Sequence, residues 1–307
     1  MRVVFMGNPK FGISTIECLI NSKYKIAGIV SNSPKRIGRK LELKYSEVGS
    51  FALQNKLPLI AQDDINSKKF RNDLRKLNPD IFVVVGFKIL GKDLLKIPKY
   101  GAINLHPSLL PKYRGAAPIQ WALINGDNFT GVSIFKINTN LDTGDIFIKK
   151  VVPILKNDNF DSLSKKLSKI GSKLIIDTLD IIVGNNFKLI KQDPNLASKA
   201  PKIRKNMVQI NWDWSAEKIH NLVRGLSYLG MRTHIKEKSI RIFKTSLIEP
   251  NSNDPAGTVI LRSKNKLLVA SGEGIIGIGE LQVDGKKKMS ISEFLNGFNI
   301  KKGDLFF

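Results

Sequence analysis

Cysteine is nearly missing from this 307-residue chain: Cys18 stands alone. One thiol cannot close an intramolecular disulfide, and with only three histidines there is no Cys/His cluster to hold a structural zinc. No metal site is expected. Long apolar runs are also missing; none approaches the ~20 residues that span a bilayer. The opening residues, Met1-Arg2-Val3-Val4-Phe5-Met6, pass straight into a short apolar strand and lack the apolar region and cleavage site of a signal peptide. A reducing, cytoplasmic setting without a membrane is therefore expected. Acidic side chains are scarce beside basic ones, 26 against 50, for a net charge of +24. Such an excess suits a polyanionic partner, nucleic acid first. Lysine far outnumbers arginine, and Ile and Asn are abundant, so an A/T-biased genome is the competing explanation. The basic residues are spread over both halves, and neither half stands out as the basic module.

Phosphate-loop signatures are absent as well. Gly7-Asn8-Pro9-Lys10-Phe11-Gly12 has neither the dinucleotide glycine spacing nor the closing Gly-Lys-Ser/Thr of a P-loop. A glycine-assisted strand-to-helix turn accounts for it.

What is present is alternation. Val3–Met6, Ile26–Val30, Ile81–Val85 and Ala102–Leu105 are short apolar runs that predict buried strands. Ser14–Leu19, Tyr45–Asn55 and Lys68–Leu77 predict helices between them. This succession implies a doubly wound, mostly parallel, Rossmann-like sheet, whose ligands bind beyond the carboxyl ends of the strands. Gly131–Ile137 and Ile146–Val152 predict further strands, and Phe160–Val183 a long helix. Periodicity then fades over 188–211, where Pro194 and Pro201 mark a linker. Beyond it come a helix, Ala216–Leu226, and short strands at Ser239–Ser246, Gly257–Leu261, Lys266–Ala270 and Gly274–Leu281. That spacing predicts a small, OB-like β-barrel. The expected domains are 1–189, a linker at 190–208, and 209–307.

One constellation carries chemistry. Asn104 and His106 are two residues apart at a strand end, so they share a face. A carboxylate-rich turn, Leu141-Asp142-Thr143-Gly144-Asp145, follows later in the chain. Amide, imidazole and carboxylate together suit a reaction that builds and collapses an oxyanion. On spacing alone Asp142 and Asp145 are equal candidates. The basic stretch Asn32–Lys44 reads as a solvated loop or as a holder for an anionic substrate. His220 and His234 read as structural or surface residues, Cys18 as part of a packed core, and Trp212 and Trp214 as packing residues rather than base-stacking platforms. Lys286–Lys288 is a solvated turn or a phosphate contact.

Asn104-x-His106-x-Ser108-Leu109-Leu110-Pro111, Lys112–Gln120 and Leu141–Asp145 resemble the motifs of the folate-dependent formyltransferases. The likeness continues through Ala200-Pro201-Lys202-Ile203, Ile210-Asn211-Trp212, Gly257-Thr258-Val259-Ile260 and Gly285–Ser290, and so covers nearly the whole chain. Within the family it is similar above all to the enzymes that formylate methionyl-tRNA. The resemblance implies Asn104, His106 and Asp142 as the catalytic triad, and Ser108, Leu109, Leu110 and Pro111 as lining of the site for 10-formyltetrahydrofolate. It further implies an initiator methionyl-tRNA partner met by Arg36, Arg39 and Lys40 of the basic loop and by Lys286 and Lys287. An amino sugar or a purine precursor is the alternative acceptor, and a monomer is expected. Three stretches depart from the family pattern: Gly86-Phe87-Lys88 for Ala-Tyr-Gly, Ser227–Gly230 for Asn-Pro-Trp-Pro, and Ser46-Glu47 for Ser-Pro.

Overall fold

A computed structural model describes residues 1–38, 41–185, 187–249 and 252–307. By internal contacts they form two units: Met1–Pro118 with Phe129–Pro153 and Ser164–Pro201, and Ile119–Asn128 with Ile154–Leu163 and Lys202–Phe307.

The first unit is built on seven strands: β1 (Arg2–Gly7), β2 (Lys25–Ser31), β3 (Leu59–Ala61), β4 (Ile81–Val85), β5 (Ala102–His106), β6 (Phe129–Lys136) and β7 (Ile146–Pro153). Their order is β7-β6-β5-β4-β1-β2-β3. From β3 to β5 all neighbours run parallel, whereas β6 and β7 are antiparallel additions at one edge. Every residue of β4 is buried, as expected for a strand covered on both faces. Helices α1 (Ile13–Ile20), α2 (Glu47–Gln54), α3 (Lys68–Lys76) and α4 (Lys92–Leu95) fall between the strands. The α3 helix buries Phe70 and Leu74, four apart on one face, and leaves its charged residues on the other. The side chains of Ser46 and Ser67 cap α2 and α3 by accepting from the Gly49 and Phe70 amides at 3.0 and 3.2 Å.

Two expectations need correction here. The basic stretch is not a bare loop: Lys35–Ile37 pairs antiparallel with Glu42–Lys44, so that the two short strands satisfy each other's backbone groups. Arg36 is exposed on this hairpin, and Arg39 and Lys40 lie outside the described residues. Cys18 is half-exposed rather than in the core; the inward face of α1 is taken by Thr15, Ile16 and Leu19.

The second unit carries β8 (Met231–Ile235), β9 (Lys238–Ile248), β10 (Val259–Arg262), β11 (Leu267–Ala270) and β12 (Ile275–Val283), antiparallel in the order β8-β9-β12-β11-β10. The last residues tie the two edge strands of this sheet together. Phe306 bridges to Ile235 of β8, and Leu305 bridges to Thr258 beside β10. The His234 and Phe307 backbones exchange bonds at 2.8 and 2.9 Å, and the Phe306 amide donates to the Gly257 carbonyl at 2.8 Å. Further elements are α5 (Pro118–Ile124), α6 (Phe160–Gly184), α7 (Ala216–Gly225) and α8 (Ile291–Gly297). Trp212 is 4% exposed and packs in the core of this unit, its ring 5.4 Å from that of Phe306. Its indole N–H donates to the Thr233 hydroxyl at 2.9 Å. His220 sits 2.9 Å from the Thr245 hydroxyl. Burial, and then the charge of Arg224, hold its pKa below the ordinary imidazole value. Among the described residues no helix is long and apolar enough to cross a membrane.

Candidate active site

Asn104 lies in the middle of β5 and His106 at its end, two residues apart and hence on one face. Asn104 is flanked in register by Val84 on β4 and Phe135 on β6. These three side chains line one small cavity of about 60 Å3, together with Phe87, Leu90 and Asp142. The wall is mixed, with apolar side chains on one part and the amides of Asn104, Asn138 and Asn140 and the Asp142 carboxylate on the other. Lys88 adds a cation and is held by an ion pair with Asp63 at 3.6 Å. Among the described residues the Asn104 side chain has no hydrogen-bond partner, so its amide is free to donate into this space.

His106 stands behind that wall, 4% exposed, and does not itself line the cavity. Its Nε2 is 2.9 Å from the Tyr113 carbonyl. A carbonyl only accepts, so Nε2 carries the proton of this bond. The other nitrogen, Nδ1, faces Asp142 Oδ2 at 3.7 Å. That gap is too long for a direct hydrogen bond but close for a charge pair, and both side chains are nearly shielded from water, at 5% and 12% exposure. Asp142 Oδ2 also accepts from the Gly115 amide at 2.8 Å, which fixes the carboxylate's direction. Asp142, not Asp145, is thus the carboxylate at the imidazole.

Both groups that meet His106 come from residues in left-handed backbone: Tyr113 at φ +60° and Asp142 at φ +51°. For a residue with a Cβ this conformation costs on the order of 1 kcal/mol or more. Two such residues on opposite nitrogens of one ring mark a site whose geometry is imposed by its surroundings. Gly144 meets a different constraint. A Cβ there would lie 1.7 Å from the Lys136 carbonyl oxygen, so the turn closes against β6 only with glycine. Gly86 likewise has φ +61°, and a Cβ would come within 2.6 Å of Pro9. This is the chain's own reason for glycine where the family pattern has alanine.

The 108–111 turn is knit into the protein. Ser108 donates to the Lys112 carbonyl at 2.6 Å, Ser133 donates to the Ser108 carbonyl at 2.7 Å, and the Leu110 amide donates back to Ser133 at 3.1 Å. Ser108 and Leu110 are fully buried, and none of Ser108, Leu109, Leu110 or Pro111 lines the cavity beside Asn104. Arg36, Lys286 and Lys287 are exposed, with the Lys286 ammonium 5.2 Å from the Phe298 ring centre. Reading the sequence missed Gln192. Its side-chain amide donates to the carbonyls of Asp142 and Gly144 at 3.0 and 2.7 Å, and its carbonyl oxygen accepts from Arg114 at 3.1 and 2.7 Å. No local pattern signals it, because its partners lie about fifty residues or more away in the chain.

This geometry can be set beside known proteins. The family profile described as "Formyl transferase" matches residues 1–179, and "Formyl transferase, C-terminal domain" matches 202–299. A methionyl-tRNA formyltransferase of Caldicellulosiruptor saccharolyticus is 42% identical over 311 residues, covering 99% of each chain. One from Thermodesulfovibrio yellowstonii is 41% identical, covering 98% of this chain and 97% of its own. Among solved structures, the sugar 3N-formyl transferase WlaRD, crystallised with dTDP and 5-N-formyl-THF, shares the fold at TM-score 0.67 and 20% identity, over 94% of this chain and 99% of that one. The phosphoribosylglycinamide formyltransferase of Bacillus halodurans does so at TM-score 0.51 and 23% identity, over 60% of this chain and 95% of its own. With both profiles matched and two fifths of its residues shared along nearly the full length of such relatives, the chain belongs to the methionyl-tRNA formyltransferase family.

Proposed function

We propose that the chain transfers the formyl group of 10-formyltetrahydrofolate to the α-amino group of initiator methionyl-tRNA. The observation that carries the chemistry is Asp142 facing His106 Nδ1 across 3.7 Å, with the open amide of Asn104 in the cavity that Asp142 lines. The neutral amine attacks the formyl carbon, a new N–C bond forms, and the carbonyl oxygen becomes an oxyanion. Asn104 donates to that oxyanion, while His106, behind the wall, keeps Nε2 on the Tyr113 carbonyl and turns Nδ1 to Asp142. A donor such as the Asn104 amide is worth about 3–4 kcal/mol in the transition state. The amine's proton passes to Asp142, directly or through water. The oxyanion then re-forms the carbonyl, the bond to the folate nitrogen breaks, and that nitrogen takes the proton that Asp142 received. Val84, Leu90 and Phe135 give the cavity an apolar side, and a lower local dielectric strengthens these interactions.

The division of labour we propose is a folate-binding catalytic domain at 1–189, a linker at 190–208 and a tRNA-binding domain at 209–307. Ser108 to Pro111 act by holding the turn against the folate site. We read the antiparallel sheet of the second unit as an OB-like barrel, a reading supported by the backbone bonds of residues 305–307 to both edge strands. Phosphates of the tRNA meet Arg36 on the basic hairpin, Arg39 and Lys40 shortly after Arg36 in the sequence, and Lys286 and Lys287 on the second domain. The enzyme acts as a monomer in the cytoplasm.

A comparison of acceptors tests the function. With 10-formyltetrahydrofolate as donor, Met-tRNA is expected to be formylated orders of magnitude faster than a dTDP-amino sugar or glycinamide ribonucleotide. Faster transfer to either small amine overturns the assignment. A salt titration tests the contacts. Each lysine bound to phosphate contributes about 0.7–0.9 to the slope of log affinity against log salt. Lys286→Ala with Lys287→Ala should therefore flatten that slope for tRNA by roughly 1.5. An unchanged slope removes both from the interface.

A further inference from the structure

The first half of the stretch that reads as a linker is hydrogen-bonded at 190, 192 and 198–200 to the two turns that meet His106 or to residues beside them. Ile190 exchanges backbone bonds with Ile146, just past the Asp142 turn, at 2.8 and 2.9 Å. Two residues on, Gln192 clamps the Asp142 and Gly144 carbonyls with its amide and is itself held by Arg114. The chain then crosses to the other turn. The Tyr113 amide donates to the Ser198 hydroxyl at 2.9 Å, and the Arg114 amide to the Ser198 carbonyl at 2.9 Å. The Ser198 amide donates to the Pro111 carbonyl at 3.3 Å. Lys199-Ala200 pairs in parallel with Arg114-Gly115. Gly115 is the residue whose amide orients Asp142, and a Cβ on it would lie 2.6 Å from the Ala200 carbonyl oxygen.

One segment therefore touches both supports of the imidazole: the turn that offers the Tyr113 carbonyl to Nε2, and the turn that offers the Asp142 carboxylate to Nδ1. Those turns hold Tyr113 and Asp142 in left-handed backbone. Strained conformations persist only where surrounding bonds over-determine them.

We propose that residues 190–200 form a strap that positions the His106–Asp142 pair, with Gln192 as its clamp and positioning residue. The inference rests on the formyl-transfer reading only for its kinetic test. Gln192 touches no reacting atom; it acts by fixing two carbonyls of the turn that bears Asp142. Loss of its amide lets the turn relax, and misplacement of a catalytic group by about 1 Å costs up to about 10²-fold in rate.

Two full-length variants test this. Gln192→Ala removes both halves of the clamp. Gln192→Glu keeps an acceptor for Arg114 and can no longer donate to the Asp142 and Gly144 carbonyls. Both are expected to lower kcat by about 10- to 100-fold while KM for donor and for Met-tRNA stays within about threefold. With three histidines in the chain, the ring resonances of His106 can be followed by NMR, and they should move in both variants while those of His234 stay in place. A wild-type kcat in Gln192→Glu overturns the clamp. A loss confined to KM for tRNA also overturns it, because it would make the strap a substrate contact. Should the wild-type chain formylate no Met-tRNA at all, the functional reading falls, and the NMR comparison still decides the strap.

Discussion

Replacing His106 with alanine should lower kcat for formyl transfer by about 10³-fold, and Asp142→Asn should lower it by about 10² or more. The first change removes the ring that faces Asp142 from behind the cavity wall, in a shielded site where a single preorganised group carries 10²–10³ in rate. The second is narrower. Asparagine keeps an oxygen to accept from the Gly115 amide and keeps the shape of the turn, so it removes the charge opposite Nδ1 and the acceptor for the amine's proton. Single-turnover formylation of Met-tRNA at saturating donor reads the chemical step directly. Near-normal turnover in either variant, with the fold intact by circular dichroism, would reject the triad. Asn104→Ala should fall in the same range as Asp142→Asn, since the Asn104 amide has no internal bond to compensate for.

The largest expected effect on stability lies elsewhere. Phe306→Ala should destabilise the second unit by about 3–5 kcal/mol, the usual cost of emptying a fully buried aromatic site. Phe306 is 1% exposed and packs against Trp212, which is anchored in turn to Thr233. Its backbone is also one of the groups that tie β8 to the strand start at Gly257. Loss of the ring thus weakens core packing and the seam at one point. Urea unfolding followed by tryptophan fluorescence measures it, and a change below about 1 kcal/mol would mean the site collapses around the missing ring. Met-tRNA affinity should suffer in parallel, while the chemical step in the first unit should not.

Six of the seven strands of the first sheet were legible as short apolar runs, and Ile81–Val85 is found at its expected bounds; the edge strand Leu59–Ala61, only three residues long, was not read. The antiparallel direction of β6 and β7 was not legible, since a hydrophobic run does not say which way its neighbour points. Met231-Arg-Thr-His-Ile235 alternates buried and outward residues as a half-buried strand should. It is short and polar at its centre, so its sequence carries no apolar run to mark a strand. Helix α8 was not read from the sequence, although Ser290 and Glu293 form reciprocal capping bonds at its start. At the candidate site, Asn104 and His106 were readable as a pair from strand spacing, and the choice of Asp142 over Asp145 came from the family pattern alone. What no local reading reaches is the support: the Tyr113 carbonyl, the Gly115 amide and the Gln192 side chain. Backbone groups carry no sequence signature, and an aperiodic stretch such as 190–200 looks like a connector until its partners are known.

Gly144 has a practical consequence for remodelling the pocket. With no room for even a methyl group against β6, the turn is pinned at that residue, and substitutions there strike the backbone rather than the ligand. Asn138, Asn140 and Leu141 border the same cavity and are exposed. Any effort to widen donor tolerance should draw its diversity from those three positions and leave the pin alone.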